Sequence, residues 1–376
     1  MQTTTFDYRR ADAQATAVEP LAPDEFPYDE FAWYEQACRE RCRAFWAAES
    51  GVLVCRRVRA GACFSAGCAD AERSLALQLG ALRAGMEYAG DVPGFLEPWY
   101  GIGTVASAFG AQYQWKAGQA PAVSPPFRSV GEALEYPARP VAQTAIGRHT
   151  LGMIDYFVEA TGGRLPMSLT DTQSPLNVAT LLVAVSEFLL ECVDAPDRVR
   201  KLLGRIAELQ VDFVREQQAR IGDALVWPGH GFSSSREFCG LGQSDDNLLT
   251  MSGPMYDEVA APSFWACGAP FRGVAFHSCG NWSGRLPVIR RLPGLRMVDA
   301  AFGPATDPHP NPPEPFAEVL AGTGIVLNAR IVGPPETVLE YVGSLWRPGM
   351  KLIVVTYCET PAEQTEVYEA IHEVCG

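Results

Sequence analysis

Residues 295–300 (LRMVDA), 324–330 (GIVLNAR) and 350–358 (MKLIVVTYC) are continuous apolar runs, not alternating ones. A strand that alternates apolar and polar residues buries one face. A run that stays apolar buries both, as in a parallel sheet covered by helices. Each run is followed by helical spacing, at 314–321, 335–346 and 362–374. Strand followed by helix, repeated, is the signature of an α/β fold. Upstream, GVLVCRRV (51–58), RLPMSLTD (164–171), LVWP (225–228) and GVAFH (273–277) read as further strands. Leu53, Leu169, Val226, Phe276, Val298, Leu327 and Val354 then mark seven strand centres. The helical 74–150 segment or the loop around Ser244 is expected to hide another. Roughly eight strand–helix units over ~320 residues predict a (β/α)8 TIM barrel with an N-terminal helical extension. A doubly wound open sheet is the competing architecture.

The expected organisation is a flexible lead-in over residues 1–27 and a single barrel domain over 28–376. Helical spacing covers 31–48, 75–86, 149–161 and 196–220. Ser174 before Pro175 reads as the N-cap and first residue of one helix through 176–193. Cys38 and Cys42 lie one turn apart on the first helix and read as core packing. The stretch 95–110 is an aromatic, glycine-rich loop, and the proline-rich 118–129 is a connector without strand character. Gly101 and Gly103 lack the third glycine, the preceding strand and the later acid of a dinucleotide site.

The chain has 376 residues, 47% of them apolar and 20% charged, which is enough to build a large core. No apolar run is long enough to span a membrane. The N-terminus lacks the apolar core of a secretory signal, so a cytoplasmic location is expected. The net charge of −14 argues against a general nucleic-acid-binding surface. Eleven cysteines without a signal segment read as buried thiols, not as a disulfide framework. With only five histidines, a histidine placed beside a cysteine carries information.

Barrel chemistry is expected at the carboxyl ends of the strands. Those ends bring forward Asp171, Ser174, Asp245, Asp246, His277, Cys279, Asp299, Asn328, Arg330, Cys358 and Glu359. His277 and Cys279 stand out, in FHSCGN where a strand ends. Chance supplies an H-x-C followed by Gly only about 0.01 times in a chain of this composition. Strand residues two apart point the same way, so both side chains could face one ion. Two cysteines and a histidine with an open fourth position form a catalytic zinc pattern.

The segments VAFHSCGN (274–281), TDTQSPLNVATLL (170–182) and GQSDDNLLTMSGPMYDEVAAP (242–262), with Cys358 79 residues after Cys279, resemble the uroporphyrinogen decarboxylase superfamily. They are most similar to its methyltransferase branch, which includes the corrinoid-protein/coenzyme M methyltransferases. The resemblance spans about residues 140–376. It implies a TIM barrel and a zinc ion on His277, Cys279 and Cys358 that activates an acceptor thiol. It also implies a methyl donor such as methylcobalamin, supplied as substrate or by a separate corrinoid protein. No D-x-H-x-x-G corrinoid-binding motif occurs in the chain.

Asp171, Asp245 and Asp246 are the candidate catalytic acids, and one of Asp245 and Asp246 is expected as an orienting base or a resting fourth ligand of the ion. Ser-Asp-Asp-Asn is also ordinary turn chemistry. Arg59, Ser174, Tyr100 and Asn328 are the candidate substrate-binding residues. His230 and Glu359 are weaker candidates, and His309 reads as part of a proline-rich lid or surface loop. The sequence departs from the decarboxylase branch at RRVRAGA (56–62), which lacks the R-Q-A-G-R run that binds propionates there. Metal-independent decarboxylation of a small carboxylate is the alternative enzyme reading, and a non-catalytic zinc- or thiol-binding protein is the alternative of another class. The expected partners are a small thiol and a corrinoid protein, with neither nucleic acid nor membrane.

Overall fold

The computed structural model describes residues 14–376. Its strands are β1 (Gly51–Arg56), β2 (Tyr113–Gln114), β3 (Ala122–Val123), β4 (Leu241–Ser244), β5 (Val274–His277), β6 (Leu295–Phe302), β7 (Val326–Ile331) and β8 (Lys351–Thr356). The helices used below are α1 (Tyr28–Ala47), α2 (Ala71–Gly85), α3 (Val130–Glu135), α4 (Ala145–Thr161), α5 (Pro175–Leu182), α6 (Val185–Asp194), α7 (Pro196–Ile221), α8 (Gly253–Val259), α9 (Ala261–Gly268), α10 (Leu286–Ile289), α11 (Pro313–Leu320), α12 (Pro335–Leu345) and α13 (Pro361–Cys375). No helix among the described residues is long and apolar enough to cross a membrane.

Six strands pair in the order β1-β8-β7-β6-β5-β4, all parallel. Two extended segments with few ladder bonds close the ring. The Asp91 N–H donates to the Val54 carbonyl at 2.7 Å, the Leu96 N–H to Pro166 at 2.8 Å, and the Ser168 N–H to Leu96 at 2.8 Å. The next position is shared. Met167 bonds to the 224–226 stretch at the lower end, while Thr172 and Ser174 bond to Ser244 of β4 at the upper end. Segments 91–96 and 166–174 therefore complete an eight-position barrel. Both places suspected of hiding a strand contain one. Segment 91–96 (DVPGFL) escaped notice because Pro93 and Gly94 interrupt its pattern.

Alternation along the strands separates two cores. Leu53, Cys55, Ala275, Met297, Val326, Ile353 and Val355 fill the barrel interior. Val54, Phe276, Val298, Leu327 and Val354 face the helices. Cys42 and Phe45 of α1 join the interior group and plug one end of the barrel. Cys38 and Cys42 are both fully buried, as core packing requires.

Three local expectations change. The single helix predicted over 174–193 is broken into α5 and α6. Val183 and Ala184 are extended there, and the Phe127 N–H donates to the Leu182 carbonyl. A tertiary contact makes that break, and neither Val nor Ala signals it. The 118–129 connector contains β3, which pairs antiparallel with β2. Of the predicted lead-in, residues 1–13 lie outside the described residues. Residues 14–27 lie against the barrel: the Thr16 N–H donates to the Arg59 carbonyl, and the Leu21 N–H to Ala76. Gly80 allows this crossing, because a Cβ there would stand 2.0 Å from the Glu19 carbonyl oxygen.

The fully buried Asp91 carboxylate ties β1, α1 and α13 together. It accepts from the Val54 N–H (2.8 Å), the Tyr368 hydroxyl (2.9 Å), His372 Nε2 (2.9 Å) and Arg41 Nε (3.0 Å). Removing one member of a buried charged network leaves the others unpaired. Asp91→Ala is therefore expected to destabilise the fold by about 3–5 kcal/mol in urea unfolding. A change below about 1 kcal/mol would show that water replaces the carboxylate without cost.

Candidate active site at the carboxyl ends of the strands

The parallel register sets three polar side chains side by side. His277 on β5 pairs with Asp299 on β6, and Asp299 pairs with Asn328 on β7. Arg330 follows two residues later on the same face. His277 Nδ1 lies 2.6 Å from Asp299 Oδ2. Arg330 Nε donates to both Asp299 oxygens, at 3.1 and 3.0 Å, and Asn328 Nδ2 donates to Oδ1. Burial alone would raise the Asp299 carboxyl, but Arg330 and His277 outweigh it and keep it below its usual range. Burial likewise opposes protonation of His277. Its bonds to Asp299 and Cys279 prevail and raise its pKa well above the ordinary imidazole range.

With Nδ1 committed to Asp299, Nε2 of His277 faces the loops. Cys279 Sγ lies 3.5 Å from it and Asp246 Oδ1 4.0 Å. The ligand atoms of Asp246, His277 and Cys279 all lie within 4.8 Å of one another. A tetrahedral zinc with Zn–N near 2.0 Å and Zn–S near 2.3 Å places N and S about 3.5 Å apart. The donor set and spacing suit a divalent metal. A carboxylate behind a ligating histidine is the usual device for orienting the ring. Asp246 is held by the Cys279 N–H (2.7 Å) and by Asn177 Nδ2 (3.2 Å).

The expected third ligand, Cys358, is not brought to this group. Ile353 and Val355 face the interior, so the same alternation turns Tyr357 inward and Cys358 outward. Cys358 is buried against the helical layer, where burial pushes its thiol up to about 11. Asp246, expected as a catalytic acid or a fourth ligand, stands beside His277 and Cys279. Asp245 does not reach the site. It is fully buried, accepts bonds from Ser174 Oγ and Tyr256 at 2.7 Å each, and is pushed by burial up to about 6. Ser174 is fully buried and caps α5 through the Asn177 N–H, so it supports the loop and does not touch the cavity. Asn328 is also fully buried, between Asp299 and the Ser233 N–H. Tyr100 stacks on His149 at 3.8 Å and lies outside the cavity lining.

A cavity of about 1370 Å³ opens beside the Asp246–His277–Cys279 group, with Asp246, Cys279, Arg330, Arg59, Phe64 and His309 among its walls. The Arg59 guanidinium lies 3.8 Å from the centre of the Phe64 ring. A second polar cluster occupies other strand ends. His230 Nδ1 is 2.6 Å from Glu97 Oε2, and Nε2 is 3.6 Å from Asp171 Oδ2. Trp99 Nε1 and Gln173 Nε2 hold Asp171, and Arg57 meets Glu97 at 3.3 Å. Sequence reasoning missed Glu97 because the strand it ends was unrecognised.

Burial would raise the Glu97 carboxyl, but His230 and Arg57 draw it down to about 2. A depressed acid contributes stability above its unfolded pKa, near 4.5, that is lost as pH falls toward 2. The full contribution is about 3 kcal/mol. Glu97→Gln should flatten the loss of stability between about pH 4.5 and pH 2, followed by urea unfolding across pH. An unchanged acid limb would rule this linkage out.

The profile of the family described as uroporphyrinogen decarboxylase (URO-D) matches residues 46–236, just over half of the chain. The match starts earlier than the sequence resemblance does. It includes Arg57, Glu97, Asp171 and His230 and ends before His277. Among solved structures, a methyltransferase from Methanosarcina mazei shares the fold at a TM-score of 0.61. Sequence identity is 15%, over 90% of this chain and 98% of that one. No curated protein matches the chain. The barrel with its sites at the strand ends and the family match agree: the chain belongs to the uroporphyrinogen decarboxylase (URO-D) family.

Proposed function

We propose that the chain is a metal-dependent methyltransferase that moves a methyl group from a corrinoid or other methyl donor to a thiol acceptor. The observation that carries this reading is the Asp246–His277–Cys279 group, with the histidine oriented by a buried carboxylate. A Zn²⁺ ion bound there would hold an acceptor thiol, free pKa about 8.5, as the nucleophilic thiolate at neutral pH. The fold shared with the Methanosarcina mazei methyltransferase is consistent with the reading.

The protein's own residues do the positioning. Asp299 fixes the His277 ring so that Nε2 faces Cys279 and Asp246. The Cys279 N–H and Asn177 fix the Asp246 carboxylate. Asp246 and Cys279 supply two negative charges against the 2+ of the ion, so an added thiolate leaves the complex anionic and electron-rich. The cavity is far larger than a small thiol and leaves room for a bulky methyl donor above it. That donor comes from outside the chain, as methylcobalamin or on a corrinoid protein.

A second reading, metal-free decarboxylation of a small carboxylate, is favoured by the family match and by the arginines at the mouth. Chelation separates the two. Metal removal should abolish thiol methylation from methylcobalamin; activity on a carboxylate that survives chelation would support the decarboxylase.

Elemental analysis should give about one zinc per wild-type chain, with clear loss in Cys279→Ser and Asp246→Asn. Asp299→Asn should weaken metal affinity about 10–100-fold. Cys358→Ser should retain the metal, and its loss there would return the late cysteine to the ligand set. A folded wild-type protein that takes up no metal overturns the methyltransferase reading.

A further inference from the structure

Before the barrel begins, the chain runs along the wall of its own cavity. Residues 14–17 line the space that also holds Cys279 and Asp246. Three elements at the strand ends hold them there. The Tyr357 hydroxyl, just past β8, donates to Gln14 Oε1 at 2.8 Å. Gln14 Nε2 reaches the Thr306 carbonyl, in the loop after β6, at 3.5 Å. The Thr16 N–H donates to the Arg59 carbonyl, in the loop after β1, at 2.8 Å. The attachment consists of these hydrogen bonds and little else. None of residues 14–25 is buried, and the first buried side chain is Phe26. Behind the segment, the close passage of Glu19 over Gly80 and the Leu21–Ala76 bond pin the chain to α2. A stretch with exposed hydrogen bonds and no apolar anchor opens far more readily than the packed elements beneath it. Residues 14–18 can therefore lift away while the barrel stays folded. Cys279 is exposed with the segment in place, so a small molecule reaches it without that motion.

We propose that residues 14–18 are a strap that sets the size of molecule able to reach Cys279, with Gln14 and Thr16 as the specificity-determining contacts. A small thiol passes with the strap in place. A bulky methyl donor needs the full width of the cavity and enters only when the bonds of Gln14 and Thr16 are broken. The naming of the two substrates rests on the methyltransferase reading above. The size filter does not, and its test uses neither metal nor substrate.

Cys279 supplies the probe, because of the eleven cysteines it alone is exposed. Metal-free, full-length protein is treated with N-ethylmaleimide and with the same maleimide carried on a polyethylene glycol chain. Each rate is divided by the rate of that reagent with free cysteine. On this scale the wild type should react at least about tenfold faster with the small reagent, since the large one waits for the open strap. The full-length Gln14→Ala/Thr16→Pro variant loses the Gln14 side chain and the Thr16 N–H. Tyr357→Phe loses only the hydroxyl that meets Gln14. Each hydrogen bond removed should raise the large-reagent rate about fivefold and leave the N-ethylmaleimide rate within about twofold of the wild type. Cys279→Ser should take up neither reagent. Equal scaled rates in the wild type, or a large-reagent rate that neither variant raises, overturn the strap and leave the methyltransferase reading intact. Equal acceleration of both reagents in the variants means a general loosening of the cavity and also overturns it. A wild type that takes up no zinc but keeps the size filter overturns the methyltransferase reading alone.

Discussion

The carboxylate of Asp299 is the constraint on which the upper end of the barrel depends. It is fully buried and ionised, which is tolerable only with several charged or polar donors around it. Those donors come from the two strands that flank it, His277 from β5 and Asn328 and Arg330 from β7. A one-residue slip of any of these strands would turn its polar residue into the helical layer and leave Asp299 unpaired. Register and site geometry are therefore one requirement. The same carboxylate determines which imidazole nitrogen of His277 faces Cys279 and Asp246 and holds the Arg330 guanidinium beside that ring.

Loops that follow the strands finish what the strands begin. Asp307 accepts from the Gly280 and His309 N–H groups, and Asn311 accepts from the Trp282 N–H and donates to the Gly280 carbonyl. The loop bearing Cys279 is thus clasped by the loop after β6. On the strand ends that precede β5, Glu97, His230 and Asp171 form a second polar group. Gly229 and Gly231, both at positive φ, make the turn that carries His230. Chemistry-bearing groups collect at one end, while Cys42, Phe45 and Phe238 seal the interior with apolar side chains. Stability and function are divided along the barrel axis in the way this architecture permits.

Much of this was legible in the chain. The apolar runs at 295–300, 324–330 and 350–358 are strands because only a two-faced burial rewards such a pattern. The helices between them followed from their own spacing. His277 and Cys279 stood out because two rare residue types sit two apart at a strand end. Arg330 and Asp299 could be placed at strand ends, though nothing local said that they would touch. Segment 91–96 could not be read, because its Pro93 and Gly94 hide a strand that needs only a few ladder bonds.

The sequence by itself determined the architecture and one half of the candidate metal site, since hydrophobic periodicity and residue spacing are local properties. Only the tertiary structure decided which further side chain joins that candidate site. Cys358 and Asp246 each follow a strand by two residues, and neither is a sequence neighbour of His277. The pleat turns Cys358 into the helical layer, while the loop after β4 carries Asp246 against the Cys279 amide. Which residues meet across a barrel depends on strand order, register and facing direction, and those are set when the whole ring closes.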